Sequence, residues 1–229
     1  MSKIKGLLFD FNGTLFFDSQ YHFDAFCACL DKYGLPRQSK EFIVKNIFGR
    51  TNGEIVNKHF KPNATEDDIK YFTNLKEGLY MDICRTSPKR PALVDGACEF
   101  LDYIKANNIP FCMATGSPLI NVNFYFEELG IGRWFSFDNI VYDNGTFPGK
   151  PAPDIYLLAA QRLGLDPSEC AVFEDGTSGL RAANAAGVGK TIAVWEKEYP
   201  SPITGDLRVD AKYHDFTDWK QMLSLIGLL

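Results

Sequence analysis

Asp10 stands directly after the apolar run Ile4 to Phe9 and just before a turn signal, Asn12-Gly13. A short continuous apolar run bounded by turn residues reads as a buried parallel strand. The carboxylate therefore falls at a strand's carboxyl end, where open α/β sheets bind ligands. So placed, it is suited to in-line attack on phosphorus, dividing one displacement into two through an aspartyl-phosphate. Attack of one anion on another needs neutralising charge. Lys150 supplies a cation, and Asp175 with Glu174 beside it supplies oxygen ligands of the hard type that magnesium prefers. The hydroxyl of Thr115, after another strand-like segment, is a candidate to hold phosphoryl oxygens together with nearby backbone amides.

The elements that must position these groups are legible around them. Helical periodicity takes over from Asp18 to about Ser87. A helix from Asp18 to Tyr33 carries Phe23, Phe26, Cys27 and Leu30 on one face and stops at Gly34 with Pro36 behind it. Thr65-Glu66-Asp67-Asp68 opens a second helix, running to about Cys84, with an N-cap and acidic first-turn residues. Beyond Pro88, helices and strands alternate. Helices are expected at 96–107, 120–129, 153–163 and 179–186, and strands at 110–114, 140–142, 171–173 and 191–194. Repeated β-α units imply a parallel, doubly wound sheet. The expected organisation is an α/β, Rossmann-like core of residues 1–16 and 88–229 with an inserted helical bundle at 17–87.

Bulk properties fit an ordered, enzyme-like chain. The 229 residues are 45% hydrophobic and 23% charged, within the range of soluble globular proteins. A net charge of −5 without any basic run gives no electrostatic footprint for nucleic acid or an anionic membrane surface. No apolar stretch approaches the roughly 20 residues of a spanning helix, and no signal-peptide pattern precedes the first strand, so the cytoplasm is the expected location. The scattered cysteines show no zinc spacing and read as buried reduced thiols. A monomer or weak dimer is the expected state.

Phe9-Asp10-Phe11-Asn12-Gly13-Thr14-Leu15 resembles the first motif of the haloacid dehalogenase superfamily, D-x-D-G-T-L. Three further segments match in order: Thr115-Gly116-Ser117, Gly149-Lys150-Pro151-Ala152-Pro153-Asp154-Ile155-Tyr156, and Phe173-Glu174-Asp175-Gly176. The resemblance implies a magnesium-dependent phosphatase acting on a small phosphorylated metabolite, a sugar phosphate by preference. In that role Asp10 is the nucleophile, and Asp10, the Asn12 carbonyl, Glu174 and Asp175 serve the metal. Thr115, Gly116, Ser117 and Lys150 hold the phosphate. The helical insertion has a precedent in the cap of the branch containing β-phosphoglucomutase. There His22 falls at a cap-hinge histidine and Lys76 near a cap lysine, while Gly49-Arg50 is placed to contact phosphate or sugar. Taken alone, a helix-face histidine reads equally as a packing residue, and a lysine on an amphipathic helix as a solvated one.

The chain departs from the motif at position 12, where Asn replaces the second Asp. The family's Asp contributes a backbone carbonyl to the metal and a carboxyl that protonates the leaving oxygen and then activates water. An amide keeps only the first role, and positioned acid–base catalysis contributes about 10² to 10⁴ in rate. Several readings stay open: a substrate whose leaving group needs little protonation, such as an acyl phosphate; a slow or silent relative that binds phosphorylated ligands; or an Asn introduced to trap an intermediate. Deamidation at Asn12-Gly13 would restore an acid in part of the population. A β-phosphoglucomutase-like phosphomutase and a noncatalytic sugar-phosphate-binding module are the alternatives to a phosphatase.

Overall fold

The computed structural model describes residues 3–48 and 50–229. In chain order, β1 (Gly6–Phe9) leads into α1 (Ser19–Lys32), α2 (Lys40–Asn46), α3 (Asn52–Ile55), which continues as a π-helical turn, Val56–Phe60, and the long α4 (Glu66–Thr86). Then follow α5 (Ala97–Ala106), β2 (Phe111–Pro118), α6 (Leu119–Glu128), β3 (Ile140–Asp143), α7 (Asp154–Arg162), β4 (Cys170–Glu174), α8 (Thr177–Ala185), β5 (Lys190–Val194), β6 (Ala211–Tyr213) and α9 (Trp219–Leu225). The chain divides into two compact units, Met1–Phe17 with Ala92–Leu229, and Asp18–Pro91.

The first unit is built on a six-stranded sheet in the order β3-β2-β1-β4-β5-β6, with every neighbouring pair parallel. This is the doubly wound α/β arrangement expected from the alternating pattern. All four β1 residues are buried, as a central strand covered on both faces requires. Successive side chains point to opposite faces. Leu8 therefore joins Ile155, Tyr156, Ala159, Ala182 and Ala183 of α7 and α8. Phe9, on the other face, stacks on Phe173 at 4.8 Å and meets Phe100 and Phe216. This aromatic packing lies under the position from which Asp10 emerges.

In the second unit α4 begins with a reciprocal cap: the Thr65 hydroxyl accepts from the Asp68 amide and the Asp68 carboxylate accepts from the Thr65 amide. Asp18, read as the start of α1, makes no side-chain cap. Its buried carboxylate instead accepts from the Tyr80 hydroxyl at 2.7 Å and lies 3.2 Å from His22 Nε2. Phe26, Leu30, Ile43, Ile55 and Phe72 form the apolar centre of this unit.

Several elements depart from the sequence reading. Helices α2, α3 and α9 and strand β6 were not anticipated, and β2 runs on to Pro118, so Thr115-Gly116-Ser117 lies within its irregular last stretch rather than after it. Cys98 is only half-buried, whereas the other five cysteines are buried; all six are free thiols. Among the described residues no helix is long and apolar enough to cross a membrane.

Candidate active site

β1 and β4 run side by side with Phe9 opposite Phe173, so Asp10 and Glu174-Asp175 leave the same end of the sheet together. The strand order reverses at this pair, which is where open sheets leave a crevice beyond their strand ends. The Asp10 amide donates to the Phe173 carbonyl at 3.0 Å, fixing the first residue beyond the strand. Lys150, in the turn before α7, places Nζ 2.6 Å from Asp10 Oδ1 and 2.7 Å from Glu174 Oε2. The Tyr156 hydroxyl donates to the same Glu174 oxygen, and its ring lies 5.2 Å from Lys150 Nζ. Glu174 Oε1 accepts from the Gly176 amide at 3.0 Å.

Burial sets the electrostatics of this cluster. Desolvation, reinforced by the charge of Glu174 and opposed by Lys150, raises Asp10 to about 7. Burial alone would lower the Lys150 ammonium, but Asp10 and Glu174 carry it well above the ordinary lysine value. Burial and the Glu174 charge likewise keep the Tyr156 phenol protonated. Lys150 is therefore a fixed cation against the oxygen that would become the nucleophile.

Asp10, Glu174 and Asp175 each bring a carboxylate oxygen within 4.8 Å of the others. Thr14 Oγ1 donates at 3.3 Å to both Asp10 Oδ2 and Asp175 Oδ1, tying the two ends together. Gly13 makes this approach possible: it has φ +78°, and a Cβ there would sit 2.1 Å from Asp175 Oδ2. Gly179 does the same for Glu174, whose carboxyl carbon would lie 2.0 Å from an added Cβ. Three carboxylates facing one ammonium leave net negative charge on a set of hard oxygen donors, which fits magnesium.

The Asn12 side chain occupies a cradle of hydroxyls. Its Oδ1 accepts from Ser117 Oγ at 2.6 Å, Tyr125 OH at 3.0 Å and, more weakly, Thr115 Oγ1 at 3.4 Å. Its Nδ2 donates to Tyr125 OH at 2.8 Å. Thr115 Oγ1 also accepts from the Ser117 amide at 3.1 Å. Gly116 is exposed, with open space where a side chain would stand.

Residues 4–187 match the model of the haloacid dehalogenase-like hydrolases. The chain belongs to this family. A probable pseudouridine-5'-phosphatase of Drosophila melanogaster is 42% identical over 196 residues, covering 82% of this chain and 80% of that protein. The fructose-1-phosphate phosphatase YqaB of Escherichia coli is 30% identical over 190 residues, covering 81% and 94%. Among solved structures, a HAD hydrolase of family IA, variant 3, from Entamoeba histolytica superposes with a TM-score of 0.84 at 32% identity, covering 98% of this chain and all of the other.

In this haloacid dehalogenase-like hydrolase, Asp10, Asn12, Thr115, Ser117, Lys150, Glu174 and Asp175 gather at one end of the sheet. His22, Lys76 and Arg50 belong to the second unit. Lys76 is buried rather than solvated, 2.7 Å from the buried Glu77, which also accepts from Asn52 Nδ2 at 2.9 Å. A signal for this was present: Phe72, Lys76, Tyr80 and Cys84 recur every fourth residue, so Lys76 sits on the buried stripe of α4. His22 stacks on Tyr80 with ring centroids 4.2 Å apart. Arg50 is exposed, and Gly49 beside it lies outside the described residues. Tyr125 and the part played by Tyr156 were missed. Tyr156 lies inside the Lys150 motif, one helical turn beyond Pro153, whereas nothing near Tyr125 in sequence points to Asn12.

Proposed function

We propose that this hydrolase is a magnesium-dependent phosphatase of small phosphorylated metabolites, sugar phosphates included, working through an aspartyl-phosphate on Asp10. The observation that carries the reading is Lys150 Nζ held 2.6 Å from Asp10 Oδ1 beside Glu174 and Asp175. The phosphatases named among its relatives support the same class of reaction.

Asp10 and Asp175, with the Asn12 carbonyl and support from Glu174, would hold the ion, whose contribution when bound is to neutralise phosphoryl charge. The Asp10 carboxylate forms a bond to phosphorus as the leaving oxygen departs. Lys150, fixed by Glu174 and Tyr156, offsets the charge that gathers between nucleophile and phosphate. Thr115, Ser117 and the amides around Gly116 orient the phosphoryl oxygens. Water then releases phosphate from Asp10. Asn12 fixes geometry and passes no proton, since an amide neither gives nor takes one at neutral pH. On the family resemblance alone, His22, Arg50 and Lys76 are proposed as contacts to the organic part of the substrate.

The test is phosphate release from acetyl phosphate and a panel of sugar phosphates, with magnesium or with a chelator, for the protein and Asp10→Asn. Release that needs magnesium and drops by several orders of magnitude in the variant is expected. Equal release by both forms would sink the assignment of the nucleophile.

A further inference from the structure

We infer that this site is built for phosphoryl donors whose leaving group departs without a proton, acyl phosphates being the class that fits. The inference rests on the phosphatase reading above and narrows its substrate.

Two halves of the site point in different directions unless the substrate reconciles them. The charged half is complete. Asp10, Lys150 and Glu174 are held together in a largely buried cluster by contacts of 2.6 and 2.7 Å. Burying charge is costly unless each ion is paired, so such a cluster marks a site that still handles an anion. The acid–base half is replaced by an amide that is fitted rather than merely tolerated. Tyr125 faces both its atoms, at 2.8 Å to Nδ2 and 3.0 Å to Oδ1, and Ser117 donates to Oδ1 at 2.6 Å. The amide offers this cradle a donor as well as an acceptor, where an ionised carboxylate would offer acceptors alone. The hydroxyls of Tyr125 and Ser117 both face Asn12 and lie 3.0 Å apart.

Leaving-group chemistry reconciles the two halves. An alkoxide is about as basic as hydroxide, since water ionises near pKa 15.7, so an alkyl phosphate needs a proton on its leaving oxygen. A carboxylate, with a conjugate acid near pKa 4.3, needs none. In the first step a bond forms from an Asp10 oxygen to phosphorus. The bond from phosphorus to the acyl oxygen breaks, and its electron pair leaves on the carboxylate. In the second step a water oxygen bonds to phosphorus, the electron pair of the breaking bond returns to the Asp10 carboxylate, and the water proton passes to solvent. Phosphorylated Asp10 is itself an acyl phosphate. The site therefore expels a carboxylate in its second step in any case, and an acyl phosphate substrate makes the two steps alike.

The experiment compares kcat/KM for acetyl phosphate, 4-nitrophenyl phosphate, phenyl phosphate and glycerol 3-phosphate with the unaltered protein and magnesium. A fall of about 10² to 10⁴ from acetyl phosphate to the alkyl ester, beyond the difference that Asn12→Asp shows, is expected, because that is the usual contribution of a positioned acid. The Asn12→Asp form should gain more on the alkyl ester than on acetyl phosphate, narrowing the ratio between the two by about 10² or more. Hydrolysis of glycerol 3-phosphate within a few-fold of acetyl phosphate by the unaltered protein overturns the inference and leaves the phosphatase reading standing. No turnover of any donor, acetyl phosphate included, overturns both. Should the variant not fold, the leaving-group series of the unaltered protein decides alone.

Discussion

Lys150 Nζ stands between two buried carboxylates, 2.6 Å from Asp10 Oδ1 and 2.7 Å from Glu174 Oε2, so one cation holds together two groups that would otherwise repel. Replacing it with methionine leaves both carboxylates buried without the cation between them. Lys150→Met should lose about 3 to 5 kcal/mol of stability at pH 8 in chelator, the cost of breaking a buried pair. Asp10 already titrates at about 7 with the lysine present, and removing the cation raises it further. The folded variant then takes up a proton more readily than the unfolded chain, so the deficit should shrink as pH falls from 8 to 5. Urea unfolding across that range measures it; a deficit that grows toward pH 5 would contradict this account.

Gly13 lets the turn after β1 touch Asp175. In Gly13→Ala the added methyl would meet Asp175 Oδ2 at 2.1 Å on a backbone with φ +78°. Displacing a proposed ligand should weaken magnesium binding by about 10- to 100-fold, the usual effect of disturbing a metal site's immediate support. Titration calorimetry provides the reading, and unchanged affinity would remove Asp175 from the ligand set.

Glu77 supplies a pH test in the helical unit. Burial pushes its carboxyl up, but Lys76, His22 and the Asn52 amide together outweigh it, leaving it at about 2 against an ordinary 4.5. A depressed carboxylate contributes stability above its unfolded pKa and loses it as pH falls through the folded value. Unaltered protein should therefore lose this contribution between about pH 4.5 and 2, and Glu77→Gln should flatten that part of the stability curve. Lys76→Met, which takes the adjacent ammonium from the buried Glu77 carboxylate, should cost about 3 to 5 kcal/mol at pH 7. Circular dichroism melts of both variants against pH give the comparison.

Tyr125→Phe removes the hydroxyl between Asn12 and Ser117 and keeps the ring packed on Phe11, 4.4 Å between centroids. Loss of these bonds should cost about 0.5 to 1.5 kcal/mol. Because the Asn12 amide then loses its orientation, kcat on acetyl phosphate should fall while KM stays within about twofold. A change confined to KM would place Tyr125 in substrate contact instead.

Much of this was legible in the residues. The strands that carry Asp10 and Glu174 are continuous apolar runs, because a central parallel strand is buried on both faces, and the helices α1, α6, α7 and α8 end on Gly34, Gly130, Gly164 and Gly187, all with positive φ. What was missed lacked a local signature. β6 is three residues long and nowhere buried, so it shows neither an apolar run nor alternation. α3 is four residues with a single buried side chain, too short for a period to register. Tyr125 meets Asn12 across 113 residues of chain, and only the sheet's order brings them together. The seven residues gathered in the core were readable from motif spacing because six lie at or near strand ends and Lys150 stands in the turn that opens α7; Lys76 required following one helix face past its charge.

The central place of β1 also governs how this protein must be made. Gly6–Phe9 is wholly apolar or backbone, and its two neighbours in the sheet are residues 111–118 and 170–174. At a synthesis rate of about 5 to 20 residues per second, the strand bearing the nucleophile waits on the order of ten seconds for its last partner to emerge. Until residues 111–118 emerge, the helical segment 18–91 is free to fold while an unpaired apolar strand stands upstream of it. The strand that bears the nucleophile is thus exposed as an unpaired apolar edge before the site exists, and a chaperone that shields residues 4–9 during synthesis should raise the yield more than one that acts on the folded protein.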